Sequence, residues 1–129
     1  NDTLDGGAGD DRLYGGNGTD TLVGTNPTAA GVGEFDILRG HADADLFILG
    51  DITQPYYVGD GIADYAGLRD FTFAEDTIQL YGGETYQLLE SNGNTQIRLN
   101  GDLINGDLIG IINGVTGLNL SDSSVFSYV

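Results

Sequence analysis

The sequence predicts an all-β fold, a parallel β-roll of short stacked strands followed by an antiparallel β cap, and three observations predict it. Over the first 49 residues an aspartate and, two positions later, an apolar residue recur mostly at intervals of nine; glycine-rich runs separate these pairs; and after Leu49 β-prone runs alternate with turn dipeptides. The repeated units read NDTLD, GGAGDDRLY, GGNGTDTLV, GVGEFDILR and GHADADLFI. Asp2, Asp11, Asp20, Asp36 and Asp45 hold one phase, and Leu4, Leu13, Leu22, Leu38 and Phe47 hold the other.

Each residue type has its task within a unit. Glycine turns the chain, because it enters positive-φ conformations freely and lets two backbones approach. The aspartate closes the turn with an oxygen ligand. The apolar residue sits, side chain inward, at the centre of a three-residue strand spanning roughly 10 Å. Since one turn and one strand reverse the chain, two units make a coil and each unit lies over the second one after it, about 4.8 Å away. Carboxylates from those units meet on one edge, and like charges that close require a cation between them. The expected pairs are Asp2 with Asp20, Asp20 with Asp45, and Asp11 with Asp36.

The second and third units resemble the G-G-x-G-x-D nonapeptide of the RTX (repeats-in-toxin) calcium-binding family, a parallel β-helix repeat. The resemblance implies several Ca2+ ions, held by aspartates and by carbonyls of the glycine turns: Asp2, Gly6, Gly7, Gly9, Asp11, Gly15, Gly16, Gly18, Asp20, Asp36, Gly40 and Asp45. The fourth unit follows seven extra residues, GTNPTAA, and carries Val32 and Glu34 where glycines are expected. His41 and Asp43 stand at the same phases of the fifth unit, where Asp43 adds a carboxylate, in keeping with calcium's irregular oxygen shells.

Gly50 to Gly61 reads as a connecting loop. The segment ADYAGLRDFTFAEDTIQL then resembles the D-x-U-x-D-F-x-x-x-x-D-x-I-x-L stretch that follows RTX repeats, with Asp70, Phe71, Asp76, Ile78 and Leu80 in register. Its first acidic position falls on Ala66, and Asp60 and Asp64 are the nearby substitutes; Asp60, Asp64 and Asp70 complete the candidate ligands. Antiparallel strands are expected at Thr85–Leu89, Thr95–Leu99, Leu108–Ile112 and Val125–Val129. The turns between them fall at Ser91 to Asn94, Asn100-Gly101, Asn105-Gly106 and Asn113-Gly114. Packed on the open end of the coil, these strands hide its unpaired backbone groups. The chain therefore divides into a roll, 1–49, and a cap, 50–129.

Composition narrows the function. Twenty acidic residues against four arginines and no lysine give a net charge of -16, which argues against a nucleic-acid partner and against an acidic membrane surface. Asp102, Asp107 and Asp122 read as solvated surface charges. With no cysteine, disulfides and zinc-thiolate sites are excluded, and calcium is the available staple. No apolar run approaches the roughly 18 residues of a membrane span, so neither a span nor a classical N-terminal export signal is expected of this chain. The chain has no methionine and starts inside a repeat, so it is expected to be a piece of a longer protein. His41 is its only histidine, and no serine sits in a nucleophile elbow, so catalysis is not expected.

A core of five inward side chains is small enough to need a metal, so binding free energy becomes folding free energy. Residues 1–49 are expected to be unfolded in chelator and to gain β structure at about 10⁻⁴ to 10⁻³ M calcium. The resemblance implies a C-terminal module of a secreted protein, exported by the type I secretion machinery and folding outside the cell. The terminal VFSYV is similar to an uncleaved export signal and is equally a last strand. The alternative is an adhesive module on extracellular polysaccharide, with Tyr56, Tyr57, Tyr65, Tyr81 and Tyr86 stacked on sugars or, as such residues more often are, half-buried in strands.

Overall fold

The computed structural model describes residues 1–99 and 106–129. Strand after strand is short, because each inward apolar residue is soon followed by a glycine or aspartate turn. In chain order they are β1 (Thr3–Asp5), β2 (Arg12–Asn17), β3 (Thr21–Val23), β4 (Phe35–Ala42), β5 (Leu46–Ile48), β6 (Tyr65–Arg69), β7 (Thr77–Leu80), β8 (Tyr86–Ser91), β9 (Asn94–Leu99), β10 (Leu108–Ile112) and β11 (Phe126–Tyr128). No helix occurs among the described residues.

Alternate strands build two sheets, ordered β1-β3-β5-β7-β11 and β2-β4-β6-β10-β9-β8. The first is parallel throughout, with Leu4, Leu22, Phe47, Ile78 and Phe126 in one register row. The second is parallel from β2 to β10, aligning Leu13, Leu38, Leu68 and Ile112. The predicted stacking of each unit on the second one after it is therefore the observed topology, and the inward residues from Leu22 onward are fully buried. Leu4 and Leu13, at the open end, are only half-buried.

Several expectations need correction. Strands of three residues hold for β1, β3 and β5, whereas β2 and β4 run on through their glycine turns, pairing Gly16 with His41 and Asn17 with Ala42. The hairpin of β8 and β9 is antiparallel as expected, turning at Asn92 and Gly93 with both φ positive. However, β10 is antiparallel only to β9 and parallel to β6, and β11 is parallel to β7. The long connections from β6 to β10 and from β7 to β11 permit this, since parallel neighbours need such connections. Both sheets thus continue past residue 49. The Asn100-Gly101 turn, Asn105 and Asp102 lie outside the described residues. A turn does form at Asn113-Gly114, with Gly114 at φ 73°.

Candidate metal centre

The phased aspartates end their turns with the carboxylate folded back over the backbone of the coil before. On the first sheet, the N–H of Asp2 donates to Asp20 Oδ1, that of Asp20 to Asp45 Oδ1 at 2.8 Å, and that of Asp45 to Asp76 Oδ1 at 2.9 Å. On the second, the Asp11 N–H donates to Asp36 Oδ1 at 2.8 Å. All three expected pairs are adjacent, and the enlarged turn does not loosen the Asp11–Asp36 pair.

The second carboxylate oxygens carry the chemistry. Asp11 Oδ2, Asp20 Oδ2 and Asp45 Oδ2 are buried with no hydrogen-bond partner. Each faces a glycine whose missing side chain makes the room. A Cβ on Gly6 would lie 2.7 Å from Asp11 Oδ2 and would strike the Gly24 carbonyl. One on Gly15 would lie 2.6 Å from Asp20 Oδ2 and 2.9 Å from the Gly40 carbonyl, and one on Gly40 would strike the Asp45 carboxylate. Buried anionic oxygens without donors are costly, and an oxygen-seeking divalent cation relieves that cost. These residues therefore fit calcium. No three acidic or histidine side chains converge among the described residues, so backbone carbonyls such as those of Gly24 and Gly40 would have to complete a shell. Burial pushes the Asp45 carboxyl above its ordinary pKa, with the charges of Asp76 and Asp20 adding to the shift.

The remaining glycines serve the backbone. Gly7, Gly9, Gly16 and Gly18 have φ of 94°, 106°, 98° and 97°, which β-carbons disfavour. One coil later His41 and Asp43 hold φ 76° in the same places, so the glycine conformation persists without the glycine. Asp43 Oδ2 accepts the Gly18 N–H at 2.9 Å. In the enlarged turn the positive φ shifts to Ala30, Gly31 and Gly33, and Glu34 Oε1 accepts the Gly9 N–H at 2.8 Å, leaving Oε2 buried and unpartnered.

Asp36 differs from its neighbours: the Tyr57 hydroxyl donates to its Oδ2 at 2.6 Å. Burial raises its pKa, against the lowering effects of Tyr57 and of the Asp11 amide. Ala66 is the register partner of Asp36, so the second stack of aspartates stops there. Asp64 is buried; its Oδ2 accepts the Gly33 N–H at 3.3 Å, while its Oδ1 is unpartnered. Asp60 is exposed. Asp70 is also exposed; its Oδ2 pairs with the Arg39 guanidinium at 3.7 Å and lies 3.5 Å from His41 Nδ1. Asp107 is not merely solvated, since its Oδ1 accepts the N–H groups of Gly59 and Gly61.

Sequence reasoning missed Asp76, Glu34, Gly24 and Tyr57 as site residues. Asp76 stands two residues before Ile78 as Asp20 stands before Leu22, so its signal was legible; Tyr57 left none. Tyr56, Tyr57 and Tyr86 are buried, which removes them from any sugar platform. The Gly50 to Gly61 segment is consequently more than a connector, because it delivers two tyrosines to the core.

Residues 1–26 match the family model of the RTX calcium-binding nonapeptide repeat (4 copies). No curated protein matches the chain.

Proposed function

We propose, from a chain that carries RTX calcium-binding nonapeptide repeats at its N-terminal end, that calcium uptake drives its folding outside the cell. RTX repeats bind several Ca2+ ions along an array and are structural, not catalytic, units of secreted proteins. The observation that carries the reading is the set of buried, unpartnered oxygens on Asp11, Asp20 and Asp45. In this reading the calcium-responsive rungs lie within the roll, residues 1–49, and residues 50–129 are the cap.

The module sits at the C-terminal end of a larger protein and keeps it unfolded for the type I secretion machinery until external calcium is met. A chain with charge -16 and no disulfide is suited to stay open where calcium is scarce. β11 supports the reading of the last residues as a strand, and in this proposal the same segment also serves export. The test is an unrelated reporter fused ahead of this chain in a bacterium with a type I exporter. The reporter is expected in the medium, protease-resistant only with calcium; retention inside the cell would sink the export role.

One surface favours the second reading, contact with extracellular polysaccharide. On the second sheet Tyr14 is 53% exposed, stacks on His41 and receives the Arg39 guanidinium over its ring, and Arg39 lies in register with Arg69. Binding of acidic oligosaccharides in calcium that survives Arg39→Gln would remove this surface from consideration.

A further inference from the structure

We propose that the aspartate array is closed from within, protein donors taking the place of calcium at the last carboxylate of each stack. This inference rests on the calcium reading above and goes beyond it by dividing the rungs into two kinds.

The two stacks end alike. On the first sheet Asp20 and Asp45 each have one oxygen on a backbone N–H and one buried without a partner. The last member, Asp76, has both oxygens engaged, Oδ1 by the Asp45 N–H and Oδ2 by the Thr72 N–H at 2.7 Å. The second sheet repeats this pattern. Asp11 keeps an unpartnered Oδ2, whereas Asp36, the last member before Ala66, receives the Asp11 N–H on Oδ1 and the Tyr57 hydroxyl on Oδ2. A Cβ on Gly24 would lie 2.5 Å from both Asp36 Oδ2 and the Tyr57 hydroxyl, so Gly24 makes room for a tyrosine oxygen where Gly15 makes room beside an open carboxylate.

The insertion explains how Tyr57 reaches that place. Residues GTNPTAA widen the turn before β4, the Tyr57 N–H donates to the Ala30 carbonyl at 2.8 Å, and the ring packs where a side chain on Gly31 would stand. Tyr57 is fully buried at φ 59°, a conformation a bulky residue holds only when its surroundings compel it. Insertion and tyrosine together form one clasp. The closed carboxylates of Asp36 and Asp76 form a calcium-independent seat, and those of Asp11, Asp20 and Asp45, like the unpartnered oxygens of Glu34 and Asp64 that lie outside the two stacks, are left for calcium.

Calorimetric calcium titration of the full chain, with the folding midpoint read by circular dichroism, tests this. Asp20→Asn is expected to lower calcium uptake and raise the midpoint at least tenfold; Asp36→Asn and Asp76→Asn should leave uptake unchanged and shift the midpoint less than twofold. Tyr57→Phe frees Asp36 Oδ2 and should bind no fewer ions while folding only at severalfold higher calcium. The near-isosteric Asp36→Asn keeps the test decisive if Tyr57→Phe does not fold. Loss of an ion in Asp36→Asn, with calcium still bound by the unaltered chain, would overturn this proposal alone. No uptake by the unaltered chain would overturn both it and the calcium reading.

Discussion

At the scale of single residues, position within the nonapeptide decides what each glycine is for. Gly7 and Gly16 hold φ values that a side chain disfavours, while Gly6, Gly15 and Gly40 have ordinary φ and give space to a carboxylate. Gly15→Ala should therefore act on calcium more than on backbone strain. It is expected to destabilise the loaded protein by about 1–3 kcal/mol, as overpacked sites do, and to weaken calcium uptake, both read from urea unfolding at fixed calcium. Carboxylate titration belongs to the same scale. Burial raises the pKa values of Asp36, Asp45, Asp64 and Asp76. A folded pKa above the unfolded value means that the protonated form favours folding, a contribution fully present below about 3.8 and lost as pH rises through the folded value. Without calcium, urea midpoints from these groups should rise as pH falls from 6 toward 4. With calcium the dependence reverses, because protons compete with the ion, and the calcium midpoint should climb over the same interval.

At the scale of elements, legibility followed the period. The aspartate-to-leucine spacing was enough to stack β1 on β3 and, across the seven-residue insertion, β2 on β4, since an aspartate two residues before the one inward side chain of each strand leaves a single register. Beyond β5 the beat is gone: Phe47 lies over Ile78 and Ile78 over Phe126, separations that no fixed repeat announces. Turn dipeptides marked β8 and β9 correctly because an Asn-Gly hairpin is local. They misdirected the reading of β11, because its partner β7 is remote in sequence. The Asp36 clasp was illegible for a related reason, since Tyr57 reaches it through an insertion whose path no local rule fixes. If β11 completes the roll, Phe126→Ala should cost about 3–5 kcal/mol in urea unfolding with saturating calcium. Tyr128→Ala, at a half-exposed position, should cost far less.

For the whole molecule, the decisive balance is between a net charge of -16 and a core that thins toward the first coils, where Leu4 and Leu13 are only half-buried. Stacked carboxylates repel, and ordering the glycine turns costs entropy, so the open end of the roll is held where calcium bridges it. The far end is held by packing around Phe47, Leu68, Ile78, Ile112 and Phe126. Hydrogen exchange with mass spectrometry, on the full chain in chelator and in about 10⁻³ M calcium, tests this asymmetry most directly. In chelator, amides of β1 to β3 should exchange freely while those of β6, β7, β9 and β10 keep protection, and calcium should bring protection to the first strands. Equal protection of β1 to β3 with and without calcium would contradict the account.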